Sequence, residues 1–540
     1  MMRIMTRTLP GILMACIIST AALFAQSGAH TPDYRISSIE GTEPFIAVNP
    51  SDPRNVIAAW MQVAVEKISI AVSYSTDGGQ TWSKFATMPH VSPSFTGADV
   101  SLAFDGKGVA WICYIDYKLA GDSGYVMTAH STDKGQNWSV PVRAISGAES
   151  SDLPIDRPWI EIDRSGGQYD GRIYLTSKSY YMTPLPHHVW FKRSLDGGAT
   201  WSTLKMIDDS IPSDLVQQSM GALTVGADGS VYVGYASLHL ALSLYARMIC
   251  SKSTDGGGSF TPQVAEQLTA KSGIVDSLYQ PSYRLSANPA DARNLVLITT
   301  DARYGDPDIL SLRSTDGGAS WSQPVRVNDD AVNNGVMQDM CWGVFSPAGA
   351  CYAAWRDRRN SGGRDTDAFE VYTAVSTDGG ATYSKNFDLS DTLSPFINIA
   401  RGNDFLGVSA DSNVVHSAWC DKRTGIVEIF SGKASLASIV SSVKGTSGDG
   451  LSAELIPSRI FPDPFSSDLH LHVEDNRAAT LHIALSNVAG RIVFSESVEH
   501  STGVQDIPLN VGAIPAGVYM LKVATSRGSS VQLVVRTGTQ

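Results

Sequence analysis

The sequence predicts an all-β protein: a β-propeller of four-stranded blades followed by a small Ig-like β-sandwich. Three observations predict it. An eight-residue turn motif recurs six times, an apolar hairpin recurs seven times, and the last 85 residues abandon both for plain strand-like alternation. Self-similarity at a fixed period is the mark of a chain assembled from stacked repeats. At 540 residues the chain exceeds one ordinary domain, but a closed ring of repeats takes up about 400 residues as one unit.

The turn motif reads Ser314-Thr315-Asp316-Gly317-Gly318-Ala319-Ser320-Trp321 and returns at Ser75 to Trp82, Ser131 to Trp138, Ser194 to Trp201, Ser253 to Phe260 and Ser376 to Tyr383. Its aspartates, Asp77, Asp133, Asp196, Asp255, Asp316 and Asp378, lie 56, 63, 59, 61 and 62 residues apart. Serine and aspartate can cap a tight turn, glycine supplies the positive φ, and the aromatic folds back over the hairpin. Two of the six aromatics are Phe or Tyr, so the position asks for a flat apolar ring and not for an indole N–H. These octapeptides resemble the Asp-box, or bacterial neuraminidase repeat, of sialidases and related β-propellers. The resemblance implies boxes at the outer edge of the ring, away from any active site.

The hairpins are Phe45 to Trp60, Val100 to Tyr114, Trp159 to Thr176, Ala222 to Tyr235, Tyr283 to Thr299, Cys341 to Trp355 and Phe405 to Trp419. Asp228-Gly229 and Pro347-Ala348-Gly349 supply turn chemistry. The apolar runs alternate poorly, as inner strands covered on both faces should. A third strand leads into each box, for example Ile68 to Tyr74 and Ala368 to Val375. The seventh repeat has a third strand, Ile426 to Ser431, but no box and no fourth strand. Tyr34 to Ile39, ahead of the first hairpin, is a spare strand. Closing a ring requires the termini to share a blade, so the count is seven, with six (the number in sialidases) as the alternative.

The chain is 17 % charged, 43 % apolar and carries a net charge of −12. That balance argues against nucleic acid and anionic membrane surfaces as partners. Residues 1–25 read as a signal peptide, with Arg3 and Arg7 before an apolar core from Ile12 to Phe24. No later stretch approaches the ~20 apolar residues of a membrane span. The mature chain keeps Cys113, Cys250, Cys341, Cys351 and Cys420, an odd, scattered set that reads as buried free thiols. If Gly349 turns the hairpin as Gly229 does, Cys351 faces Ser346 and Cys341 faces Arg356, too far apart to bridge.

The expected domains are the propeller over 34–434, a Ser/Gly-rich linker over 435–455 and a terminal domain over 456–540. The terminal stretch resembles the type A C-terminal sorting domain of the type IX secretion system, through Phe461-Pro462-Asp463-Pro464-Phe465, Asn487-Val488-Ala489-Gly490-Arg491 and Pro515-Ala516-Gly517-Val518-Tyr519. The resemblance implies the type IX secretion machinery as a partner, export by way of the periplasm, and a secreted or cell-surface protein.

Chemistry is expected on the face where second strands end and innermost strands begin. Four second strands end in Asp116-Tyr117-Lys118, Asp301-Ala302-Arg303, Asp357-Arg358-Arg359 and Asp421-Lys422-Arg423; Gln62, Ser179 and Ser237 stand there elsewhere. The innermost strands begin with Glu43, Asp99, Asp156-Arg157, Asp339 and Asp404. Such a ring serves either as salt bridges sealing blade to blade or as a site. The sialidase resemblance implies three arginines gripping a substrate carboxylate by two-pronged bonds, and Arg157, Arg303, Arg359 and Arg423 are the set that could converge. It also implies a tyrosine nucleophile, a glutamate that activates it and an aspartate. Glu161, Tyr283 and Asp357 are the candidates, with Tyr279 and Tyr304 open beside Tyr283. Glu161 reads equally as the buried partner of an arginine. No metal-ligand spacing, phosphate loop or nucleophile elbow occurs, so no cofactor is expected; Asp306-Pro307-Asp308 and Asp365-Thr366-Asp367 are acidic loops that could hold Ca²⁺ weakly. The resulting expectation is a sialidase-like exo-glycosidase removing terminal acidic sugars from a glycan or glycoprotein, with a non-catalytic glycan- or protein-binding propeller as the alternative.

Overall fold

A computed structural model describes residues 32–537 apart from 65–66, 119–122, 150–154, 181–185, 209–210, 212–213, 217–221, 240–242, 244, 272–281, 399–405, 442–457, 463–464, 466–468, 476, 488–491, 513 and 526–528. Each hairpin pairs antiparallel with a third and a fourth strand, giving seven propeller sheets. The innermost strands are Gly41–Val48, Phe95–Phe104, Ile155–Ile162, Ala222–Val225, Tyr283–Ala287, Gln338–Phe345 and Gly407–Ala410, in blades 1 to 7. Each packs on the innermost strand of the next blade, and the seventh returns to the first. The closure is as expected from the arithmetic of strands: Tyr34 and Arg35 pair with Ser431 and Phe430, so the N-terminal segment completes blade 7. That blade's third strand is Glu428–Ser435, later than the expected span.

The boxes are the joints between blades. In the fifth-blade box Ser314 Oγ donates to Asp316 Oδ1 (2.8 Å), the Gly318 N–H donates to Ser314 Oγ (2.8 Å), and the Ser320 N–H donates to Asp316 Oδ1 (2.9 Å). The glycine at the fifth position of each box seats against the preceding blade. A Cβ on Gly198 (φ +80°) would stand 2.7 Å from the Trp111 ring, and one on Gly257 (φ +80°) 2.6 Å from Phe191. The indole N–H groups of Trp82, Trp138, Trp201 and Trp321 are buried without a hydrogen-bond partner, which explains why Phe260 and Tyr383 serve as well.

The five cysteines among the described residues are buried and free. The register around two of them differs from the expectation. Ser346 N–H bonds Ala350 O across a five-residue turn, which puts Cys351 opposite Phe345, while Cys341 falls in a bulge between Asp339 and Trp342. The stretch expected as linker begins as structure: Leu436–Ser441 is a helix, and it packs on the third strand of blade 6 with Ile439 fully buried. Residues 442–457 lie outside the described residues. The terminal region has two sheets, one of three strands and one of four, around a separate core of Leu471, Val473, Leu481, Ile483, Leu485 and Leu521, as a β-sandwich requires.

A plug closes the axis. Register against the second strands places Phe45, Ser101, Trp159, Ala222, Arg284, Trp342 and Gly407 at one level, each paired three residues before the second-strand end position. Phe45, Trp159 and Trp342 belong to blades that are not neighbours, yet their ring centroids lie 5.0–5.4 Å apart. They meet on the axis, and the small Ser101, Ala222 and Gly407 leave them room. The Arg284 guanidinium lies over the Trp159 ring at 4.1 Å.

Candidate functional site

At the mouth of the channel, above the plug, the innermost strands of blades 1, 2, 3 and 6 bulge. A non-glycine residue with positive φ stands in each bulge: Glu43 (52°), Asp99 (33°), Arg157 (53°) and Met340 (51°). Such a conformation costs about 1–3 kcal/mol per residue and persists only where the surroundings impose it. Here it turns charged side chains toward one another. Arg157 Nη1 lies 3.9 Å from both Glu43 Oε1 and Asp99 Oδ1, and its Nε lies 3.9 Å from Asp156 Oδ2. Asp99 Oδ2 accepts the Arg157 backbone N–H at 3.1 Å. Lys178 Nζ, fully buried on the second strand of blade 3, reaches Asp156 Oδ2 at 3.2 Å. All three carboxylates and Arg157 are at least nine-tenths buried.

Burial would raise the carboxyl of Asp99, but the charge of Arg157 and hydrogen bonds from Glu43, Asp156 and the Arg157 N–H hold it well below the usual range. Burial pushes Asp156 the other way, with Lys178 pulling down and the Asp99 charge pushing up. The surroundings therefore push the two carboxyls apart, Asp99 down and Asp156 up. Burial, Asp99 and Asp156 also raise the phenol of Tyr117. A second knot sits in blade 6, where Asp339 accepts Arg356 Nε (2.8 Å) and Arg358 Nη1 (3.1 Å). Lys178 and Arg356 occupy the same repeat position, as do Asp156 and Asp339.

Arg303, Arg359 and Arg423 are held in separate seams. Arg303 binds Asp301 and reaches back to Glu266 of blade 4 at 3.1 Å. Arg359 binds Asp357 and, behind it, Asp329, both at 2.8 Å. Arg423 binds Asp421 (2.6 Å), Asp33 (2.7 Å) and Asp391 (2.7 Å). Asp357 also accepts the Trp355 indole N–H at 2.9 Å. Only Arg157 of the four arginines faces the mouth cluster. Its charge reaches the buried Tyr283, whose phenol burial raises and a hydrogen bond to the Ala236 backbone lowers. Glu161 stands past the plug from Arg157, where its Oε1 accepts the Ile162 N–H (3.2 Å) and Arg164 Nη2 (3.4 Å). Tyr304 is exposed; Tyr279 and Asp404 lie outside the described residues. The two acidic loops bind their own surroundings: Asp308 Oδ1 accepts Arg326 and Asn328, and Asp367 pairs with Arg364. Among the described residues no cluster has the donors of a metal site.

Sequence reasoning missed Arg284, Lys178, Arg356 and Arg358. Lys178 and Arg356 stand one residue before the Asp-x-Arg register, on the opposite face of the strand, and that offset was the available signal. Arg284 carried none, being a lone arginine in an apolar run. It is buried, with Nε and Nη1 lacking hydrogen-bond partners, and burial lowers it to about 10 while Glu161 pulls it back up.

Residues 459–536 match the secretion system C-terminal sorting domain, and residues 73–84 match the BNR/Asp-box repeat. The chain is thus an Asp-box β-propeller with a sorting domain of the type IX secretion system, which marks it for secretion or the cell surface. No curated protein sequence matches it. Among solved structures it is similar to a Dyadobacter fermentans protein of unknown function (13 % identity, 75 % of this chain and 98 % of that one, TM-score 0.44). It is also similar to a Penicillium chrysogenum α-L-arabinanase (12 %, 61 % and 94 %, 0.42) and to the leech intramolecular trans-sialidase (15 %, 76 % and 71 %, 0.39).

Proposed function

We propose that the protein acts on glycans outside the cell through the channel-mouth cluster, as a glycoside hydrolase for terminal acidic sugars. The observation that carries this reading is the buried cluster in which Arg157 stands 3.9 Å from Glu43, Asp99 and Asp156, with Asp99 held below the usual carboxyl range and Asp156 raised above it. Glycoside cleavage uses two carboxyls whose surroundings push them apart in this way. Arg157 supplies a guanidinium for a sugar carboxylate, and Tyr283 lies within range of its field. The plug gives the mouth a floor, as an exo-acting site needs. The test is hydrolysis of a fluorogenic sialoside by the mature protein, with Asp99→Asn and Arg157→Lys alongside. Turnover abolished by either substitution in a folded variant supports the reading; a wild-type protein with no turnover removes it.

A second reading, a propeller that binds glycan or protein without cleaving it, is favoured by Arg303, Arg359 and Arg423. Each is engaged by seam carboxylates, so no three-arginine clamp is assembled from them. Sialoside retention without turnover, lost in Arg157→Lys, would select this reading.

A further inference from the structure

Between blades 1 and 2, outside the channel, three side chains line up in an order that the seam does not explain. Ser69 Oγ lies 3.1 Å from His90 Nε2. His90 Nδ1 lies 2.6 Å from Asp116 Oδ1. The other oxygen of Asp116 accepts the Val91 N–H at 2.6 Å. Ser69 belongs to the third strand of blade 1, near its start, His90 to the crossover into blade 2, and Asp116 to the end of that blade's second strand. All three therefore open on the face that carries the channel mouth. Burial is graded along the line: Asp116 is fully buried, the His90 side chain is 12 % exposed, and Ser69 is half-buried.

Asp116 is the member of the second-strand ring that departs from its relatives. Asp301, Asp357 and Asp421 each hold the arginine two residues on. At that place blade 2 has Lys118, and Asp116 holds a histidine instead. A buried carboxylate on Nδ1 fixes the imidazole so that Nε2 faces the hydroxyl as an acceptor, which is the arrangement that makes a serine nucleophilic.

The geometry points to Ser69, His90 and Asp116 as a nucleophile, base and orienting carboxylate for hydrolysis of a short-chain carboxylic ester. Ser69 Oγ attacks the ester carbonyl carbon as His90 Nε2 takes the hydroxyl proton. Collapse of the tetrahedral adduct breaks the bond to the alcohol oxygen, which leaves with that proton, and Ser69 holds the acyl group. Water then attacks, giving its proton to His90 and its oxygen to the acyl carbon. The carboxylic acid departs and the proton returns to Ser69. No co-reactant besides water is required. Asp116 is a positioning residue.

The test treats the mature protein with a fluorophosphonate probe, maps the modified residue by mass spectrometry, and measures p-nitrophenyl acetate hydrolysis. Ser69 should be phosphonylated, and His90→Gln should slow that labelling and the hydrolysis at least about tenfold, while Ser69→Ala abolishes both. A folded wild-type protein that remains unmodified at Ser69, or that labels equally fast as His90→Gln, overturns the proposal. The wild-type result stands whether or not a variant folds.

Discussion

Two adjacent glycines of one box allow the role of the boxes to be measured. Gly197 and Gly198 both have positive φ, 67° and 80°, so alanine is strained at either. A left-handed conformation costs a non-glycine residue about 1–2 kcal/mol. Beyond that the two sites diverge. A Cβ on Gly197 meets nothing within 4 Å, whereas one on Gly198 meets Trp111 Cζ3 at 2.7 Å and Cη2 at 2.9 Å. Trp111 is itself buried in the neighbouring blade, 7 % exposed and packed at a tilt against His130, so it can yield only by disturbing its own packing. Overpacking of that kind costs about 1–3 kcal/mol. Gly197→Ala should therefore destabilise by about 1–2 kcal/mol and Gly198→Ala by about 2–5 kcal/mol. Urea denaturation followed by tryptophan fluorescence reads the difference. Equal losses from the two substitutions would mean that the box turn does not seat on the preceding blade, and the account of the boxes as joints would fall.

The boxes also predict an acid limit. Hydrogen bonds from Thr200 and Ser194 hold Asp196 at about 2, and those from Ser320 and Ser314 hold Asp316 at about 2. A carboxyl lowered in the folded state stabilises above its unfolded pKa, so the melting temperature should hold down to roughly pH 4 and fall between about pH 4 and 2; a flat profile there refutes it. Replacing Arg359 by Lys keeps the charge but cannot hold Asp357, Asp329 and Asn386 together. Stability should drop by about 1.5–3 kcal/mol with ligand retention unchanged; the opposite pattern would make Arg359 a ligand contact. A chain ending before Ser458 should melt like the full-length protein yet stay in the periplasm, and its appearance outside the cell would contradict the sorting role of the terminal region.

The ring was legible because its signals are local. A box specifies its turn within eight residues, and each blade opens on its own apolar hairpin, so blade number and closure follow from counting. The mouth cluster was half legible. Glu43, Asp99, Asp156 and Arg157 stood out as charges at the starts of apolar strands. Their convergence did not, because it depends on bulges that reverse φ at single residues. The plug was not legible at all. Phe45, Trp159 and Trp342 are separated by more than a hundred residues and read individually as ordinary core; only the register of seven strands puts them at one height. Arg303, Arg359 and Arg423 show the opposite case. Their regular spacing invited a shared role, and what the structure adds is that each ties its blade to acidic side chains along the seam.

The plug also separates two proposed placements of the chemistry. Along the innermost strand of blade 3, from the mouth toward the box face, Arg157 stands in the bulge ahead of Trp159, and Glu161 follows Trp159 by two residues, about 7 Å. Glu161 and the Asp99–Asp156 pair therefore stand on opposite sides of three packed aromatic rings; under the proposed function, a sugar bound at the mouth meets the aspartates but not the glutamate. Asp99→Asn should abolish turnover of an acidic glycoside, since an amide cannot carry the negative charge that Asp99 holds beside Arg157. Glu161→Gln should leave turnover intact, because its effect on Arg284 passes only through a stacked guanidinium. A loss of activity in Glu161→Gln with an unchanged melting temperature would mean that the rings open to admit substrate, and the site would have to be rebuilt around Arg284 and Glu161 beneath them.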